Sequence, residues 1–186
     1  MSREIRPVWL LAPYTLAIDP SELQIVSWPD PRLRTRATHI PTAEEVAVVA
    51  PRMVELMHEA SGIGLAAPQV GLPWRMFVTY VPEADPVDRV FVDPTLSLDL
   101  CGAPPQPYEE GCLSLPDLRL EVLRPKGATI SATGVDGVSF EMTDQDLLAR
   151  VWQHEYDHLE ARLIFDLAQP VDASMVKRWR KVYDAQ

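Results

Sequence analysis

The chain has 186 residues, 47% of them apolar, enough for one sizeable core and too few to make two domains the default. Its 18 prolines disfavour an all-helical bundle. A formal net charge of −10 repels phosphates, which argues against DNA or an anionic membrane surface as partner.

The first 22 residues read as an extension ahead of one domain spanning 23–186. Within it "VWLLAPYTLAI" (8–18) faintly resembles a signal-peptide core, but Pro13 interrupts it, Glu4 sits among the leading arginines, and no small-x-small cleavage site follows. A cytoplasmic monomer is the expectation. No apolar run approaches the ~20 residues of a membrane span. "TAEEVAVVAPRMVELMHEA" (42–60) predicts a helix, with Thr42 and Glu45 as a capping box and Val46, Val49, Met53 and Leu56 on one stripe. Pro51 predicts a kink or restart inside it.

A β-rich middle follows. "RMFVTYV" (75–81) and "DRVFVDP" (88–94) are strand-like, and "ATISATGVDGVSFEM" (128–142) predicts a hairpin turning at Gly134–Gly137. "TDQDLLARVWQHEYDHLEA" (143–161) returns to helix, with Thr143 as its expected cap. A last helix covers 172–186, its apolar stripe running through Met175, Val176, Trp179, Val182 and Tyr183. The fold class expected is α+β: antiparallel or mixed sheets around a central helix, with a C-terminal helix.

Two of the four histidines, His154 and His158, stand four apart on the predicted helix, so both imidazoles reach one side. Glu155 beside the first completes H-E-x-x-H, in which two rings hold a metal and the carboxylate serves as base. An amphipathic face carrying chance histidines is the plain alternative. A catalytic ion needs a third protein ligand and an open position. No later histidine follows, and His39 and His58 read as surface or satisfied residues. Cys112 is the better candidate, although a lone cysteine is more often a buried hydrophobe. Cys101 reads as a spectator thiol.

"GIGLAAPQVG" (62–71), "EGCLSLP" (110–116) and "QHEYDHLEA" (153–161) resemble, in order and spacing, the three signature motifs of peptide deformylases. "VSWPDPRLRTRA" (26–37) is similar to that family's opening, so the resemblance covers the chain from Leu23 onward. It implies Cys112, His154 and His158 as ligands of one divalent metal, iron(II) in cells, with zinc, nickel or cobalt also suited to the donors. It implies Glu155 as general base and acid, and Gln69 with the backbone N–H of Leu113 as oxyanion donors. Formylmethionyl nascent peptides would be the substrate, and formate a product.

Gly64 would let the substrate backbone approach, while a tight turn is the plain reading of the same glycines. Ile63, Leu147 and Val151 would line a methionine pocket, or simply be core. Arg119 matches an arginine near the substrate path, with a solvated strand residue as the rival account. Two positions depart from the family. Ala161 stands where glycine is usual, and would be strained if that position needs φ > 0. Arg150 stands where an apolar residue is usual near the methionine pocket. The basic run "KRWRK" (177–181) offsets a helix dipole, or contacts ribosomal RNA. The rivals to a deformylase are an amidase or peptidase acting on another acyl group, and a non-catalytic metal-stabilised binding module.

Overall fold

The computed structural model describes residues 18–99 and 104–184, so Cys101, residues 1–17 and the last two residues lie outside the described part. Among the described residues three α-helices and seven strands make an α+β fold, as the sequence predicts.

Helix α1 spans Ala43–Glu59. Thr42 Oγ1 accepts from Glu45 N and the Glu45 carboxylate accepts from Thr42 N, the capping box expected. The helix is continuous through Pro51, whose ring is exposed, so it does not restart there. Val46, Val49, Met53, Leu56 and Met57 bury its inner face against Leu65, Met76 and Val78.

Five strands form an antiparallel sheet in the order β1-β2-β3-β6-β7: β1 Gly64–Ala66, β2 Met76–Val81, β3 Asp85–Asp99, β6 Gly127–Thr133 and β7 Ser139–Asp144. Phe77 pairs with Phe91 across β2 and β3, and their rings stack 4.6 Å apart. Strand β3 is far longer than its apolar signal, because its second half pairs with β6 from Thr95 to Asp99. The β6–β7 turn falls where predicted, with Gly137 at φ 77°. Strands β4 (Gln106–Cys112) and β5 (Leu115–Arg124) form a separate two-stranded sheet. On β5 burial alternates, so Leu118, Leu120, Val122 and Arg124 face inward.

Helix α2, Leu147–Leu159, packs on the larger sheet through Leu148, Val151, Trp152 and Leu159. Its start differs from expectation. Thr143 remains in β7, where its hydroxyl bonds that of Thr129, and cross-strand pairing wins over capping. Asp144 Oδ1 instead accepts from the backbone of Asp146 and Ala149, at 2.7 and 3.2 Å. Helix α3, Ala173–Tyr183, buries Trp179 against β5, its indole donating to Pro116 O at 2.7 Å. The apolar stripe is narrower than predicted: Val182 is exposed.

Candidate active site

Strand β4 and helix α2 bring the widely separated motifs together. Alternation along β4 turns Glu110 and Cys112 toward α2, and the helical repeat turns His154 and His158 toward β4. Cys112 Sγ lies 3.3 Å from His158 Nε2, and the three donor atoms of Cys112, His154 and His158 all lie within 4.8 Å of one another. A tetrahedral ion with bonds of about 2.1–2.3 Å needs donors roughly 3.5 Å apart, which small side-chain rotations here supply. One sulfur and two imidazole nitrogens suit iron(II), zinc, nickel or cobalt.

His154 Nδ1 donates to Glu110 Oε2 at 3.0 Å, which leaves its Nε2 for a metal. Burial works against a charged ring there, but the bonds with Cys112 and Glu110 outweigh it and hold the His154 pKa well above the ordinary value. Burial and the neighbouring His154 push His158 the other way. The buried Nδ1 of His158 has no hydrogen-bond partner among the described residues.

Glu155 is 4% exposed, and its Oε2 is likewise without a partner among the described residues. Burial raises its pKa to about 7, against the pull of His154 and Arg124. It abuts β1 so closely that a Cβ on Gly64 would fall 2.3 Å from Oε1. Gly64 is therefore needed for the carboxylate to sit where it does. Gln69 is buried in a single 3-10 turn after β1, Ala67–Val70. Its Oε1 accepts from Ala66 N at 2.8 Å, which aims Nε2 at Cys112 Sγ (3.5 Å) and Ser114 Oγ (3.3 Å). Leu113 lies in the tight connection between β4 and β5, with its side chain packed against Gly62.

The remaining candidates are spread more widely. Ile63 is 40% exposed in the bend just before β1, and Leu147 lines a cavity beside Tyr108. Val151 is buried in the core with Phe77 and Phe91. Arg119 is exposed on β5, in register with Gly111 and 3.8 Å from Glu109. His39 and His58 pair with Glu45 and Asp88 at the surface, far from a ligand role.

Sequence reasoning missed the buried ionic scaffold. Arg124 donates to both oxygens of Glu110, at 2.7 and 3.0 Å, and to Asp157 Oδ2 at 2.8 Å. Arg150 Nη1 donates to Glu110 Oε1 at 2.7 Å, and Arg162 Nε to Asp157 Oδ1 at 2.8 Å. Burial opposes ionisation of Glu110, but its bonds with His154 and Arg124 win, and its pKa falls far below the carboxylate range. One clue was available: an arginine on the buried face of an alternating strand needs a carboxylate. Ala161, at φ 58°, ends α2 in the left-handed conformation, with Arg162 N bonded back to Asp157 O at 2.8 Å.

The polypeptide deformylase family model matches residues 22–174. A peptide deformylase of Acinetobacter baumannii is 39% identical over 156 residues, 83% of this chain and 88% of that protein. One from Chromohalobacter salexigens is 37% identical over 171 residues, 89% and 99% of the two. Among solved structures, a plant peptide deformylase superposes with a TM-score of 0.79 at 34% identity, covering 87% of this chain and 89% of that one. A peptide deformylase from Legionella pneumophila gives 0.77 at 32% identity, covering 88% and 95%. Motifs that lie some forty residues apart in the chain meet around one sulfur and two rings, in a fold shared with these enzymes, and the chain belongs to the polypeptide deformylase family.

Proposed function

We propose that this chain removes the formyl group from the N-terminal formylmethionine of newly made polypeptides and releases formate. The observation that carries the reading is the convergence of Cys112, His154 and His158 on one point, flanked by buried Glu155 and by the Gln69 amide. Those three residues would hold one divalent ion, iron(II) in cells. When bound, it supplies a Lewis acid that acidifies water and polarises the formyl carbonyl.

The chain's own residues do the rest. Glu155 takes a proton from the attacking water as the new C–O bond forms on the formyl carbon. It then delivers that proton to the amine nitrogen as the C–N bond breaks. Without a metal, burial pushes this carboxyl up to about 7; a bound divalent cation would draw it back down, and a group in that range both accepts and donates a proton near neutral pH. Gln69 Nε2 and the backbone N–H of Leu113 donate to the oxygen that carries negative charge in the tetrahedral intermediate. Losing one such donor costs about 3 kcal/mol of barrier.

Strand β1 is an edge strand beside Glu155, so an extended peptide can pair with its outer side near Gly64. Ile63 and Leu147 would contact the first side chain, Val151 would support that wall from the core, and Arg119 would flank the peptide's path. Three protein donors fit a catalytic site better than a closed structural one, which usually has four.

Loaded with iron or nickel under anaerobic conditions, the protein should release formate from formyl-Met-Ala-Ser. Glu155→Ala should abolish release while metal is retained. No formate above background from the wild type ends the proposal.

The setting that fits is the cytoplasm, with the protein a monomer that uses neither DNA nor membrane, and with 1–22 an extension of the 23–186 catalytic domain. Among the described residues no helix is long and apolar enough to cross a membrane. Lys177, Arg178, Arg180 and Lys181 are all exposed on α3, which supports a weak contact with ribosomal RNA. Co-sedimentation with ribosomes that survives changing all four to glutamate would remove that contact from the picture.

A further inference from the structure

Strand β4 supplies Cys112 and Glu110, yet of its residues only Glu110 is buried, and it pairs with β5 alone. Apolar packing anchors its neighbours elsewhere. The apolar face of α2 packs on the larger sheet, and that of β5 packs on Leu163, Ile164, Phe165 and Trp179. The site is therefore divided between a thinly packed strand and a helix that belongs to another core.

Arg150 bridges this division from α2, one turn before His154. Its Nη2 donates to Gln106 O at 2.7 Å, and its Nη1 to Glu110 Oε1 at 2.7 Å. The Tyr108 ring between them lies 5.3 Å from the guanidinium carbon. Nη1 also reaches Val122 O on β5, at 3.2 Å. One planar fork thus grips both strands of the hairpin, through bonds that involve none of the three metal donor atoms. The other oxygen of Glu110 accepts from His154, so the grip extends to the ring beside it. The Arg150 side chain is only 12% exposed, which shields these bonds from competing water.

Building on the metal site of the proposed function, we infer that Arg150 is a positioning residue: it holds β4 against α2, so that Cys112 stays within reach of His154 and His158 before any metal is bound. Without it the metal-free strand stands away from the helix, and the apparent metal affinity falls with the fraction of sites that are closed. Charge alone predicts the reverse, since removing a cation near a divalent ion tightens binding.

The test measures cobalt(II) affinity, by competition with a chelating dye, in wild type, Arg150→Leu and Arg150→Lys. Arg150→Leu should bind about tenfold more weakly or worse, the worth of a hydrogen bond to a charged partner. Arg150→Lys keeps the charge without the fork, and should be weakened as well. It carries the test alone if circular dichroism shows the leucine variant unfolded. At saturation the cobalt absorption spectra of folded variants should match that of wild type, because the same three side chains then hold the ion. Val46→Ala, which opens a cavity in the α1 core, should lower the urea midpoint and leave the affinity unchanged. A loss of less than about threefold, or tighter binding, in either folded variant overturns the inference. So does an altered spectrum at saturation, or an equal loss in Val46→Ala, which would make the effect one of general destabilisation. A wild type that binds no cobalt brings down the metal site itself, a different and recognisable failure.

Discussion

Glu155 is a buried carboxyl whose pKa burial raises to about 7, against 4.5 for the unperturbed group. That difference has a thermodynamic consequence in protein stripped of metal by a chelator. A carboxyl that binds its proton more tightly when folded favours the folded state while it is protonated. The benefit is lost as pH rises from about 4.5 to about 7, after which burying the anion is a constant penalty. With about 1.4 kcal/mol for each pKa unit, the penalty above pH 7.5 is about 3 kcal/mol. Glu155→Gln keeps the shape and cannot ionise, so it escapes the penalty. Any fixed cost of burying the amide is the same at every pH, so the informative quantity is how the two stabilities diverge. Urea unfolding of chelated wild type and Glu155→Gln, from pH 5 to pH 8, should show the variant gaining about 2.5 kcal/mol relative to wild type, since about 0.8 kcal/mol of the penalty is already present at pH 5. In a chain of this size that is a Tm difference growing by about 5–10 °C. A stability difference that stays flat across this range, or that moves against the variant, would show that Glu155 is not held as a protonated buried acid.

Replacing Ala161, held at φ 58°, with glycine should stabilise the protein by about 1 kcal/mol, because a side chain in the left-handed region is strained; an unchanged or lower urea midpoint would count against strain at this turn. Glu110→Gln leaves Arg124 and Arg150 without their shared carboxylate and should cost about 3–5 kcal/mol of stability. It also weakens the acceptor that orients His154, so a competing chelator should strip metal about 10–100-fold more readily; unaltered metal retention in folded variant would refute the orienting role.

Much of the active cleft was legible because its parts are local. H-E-x-x-H on one helix is a matter of helical repeat, and the helix is there from Leu147 to Leu159. The capping box at Thr42 and the turn at Gly134–Gly137 are likewise written in neighbouring residues. The cap of α2 was not, because Thr143 is claimed by a strand partner, Thr129, that no local pattern reveals. The length of β3 was hidden for the same reason: its polar second half is a strand because β6 pairs with it.

The sequence by itself determined the chemistry carried by each motif and, through the resemblance of three of them, the family. It left open whether position 161 needs a positive φ, a question answered by how the chain turns after α2. Only the tertiary structure decided which charges are buried together. Glu110, Arg124, Arg150 and Asp157 come from three elements, and each is tolerable in the interior only because the others are there. Such compensation depends on distance in space, and spacing along the chain carries no record of it.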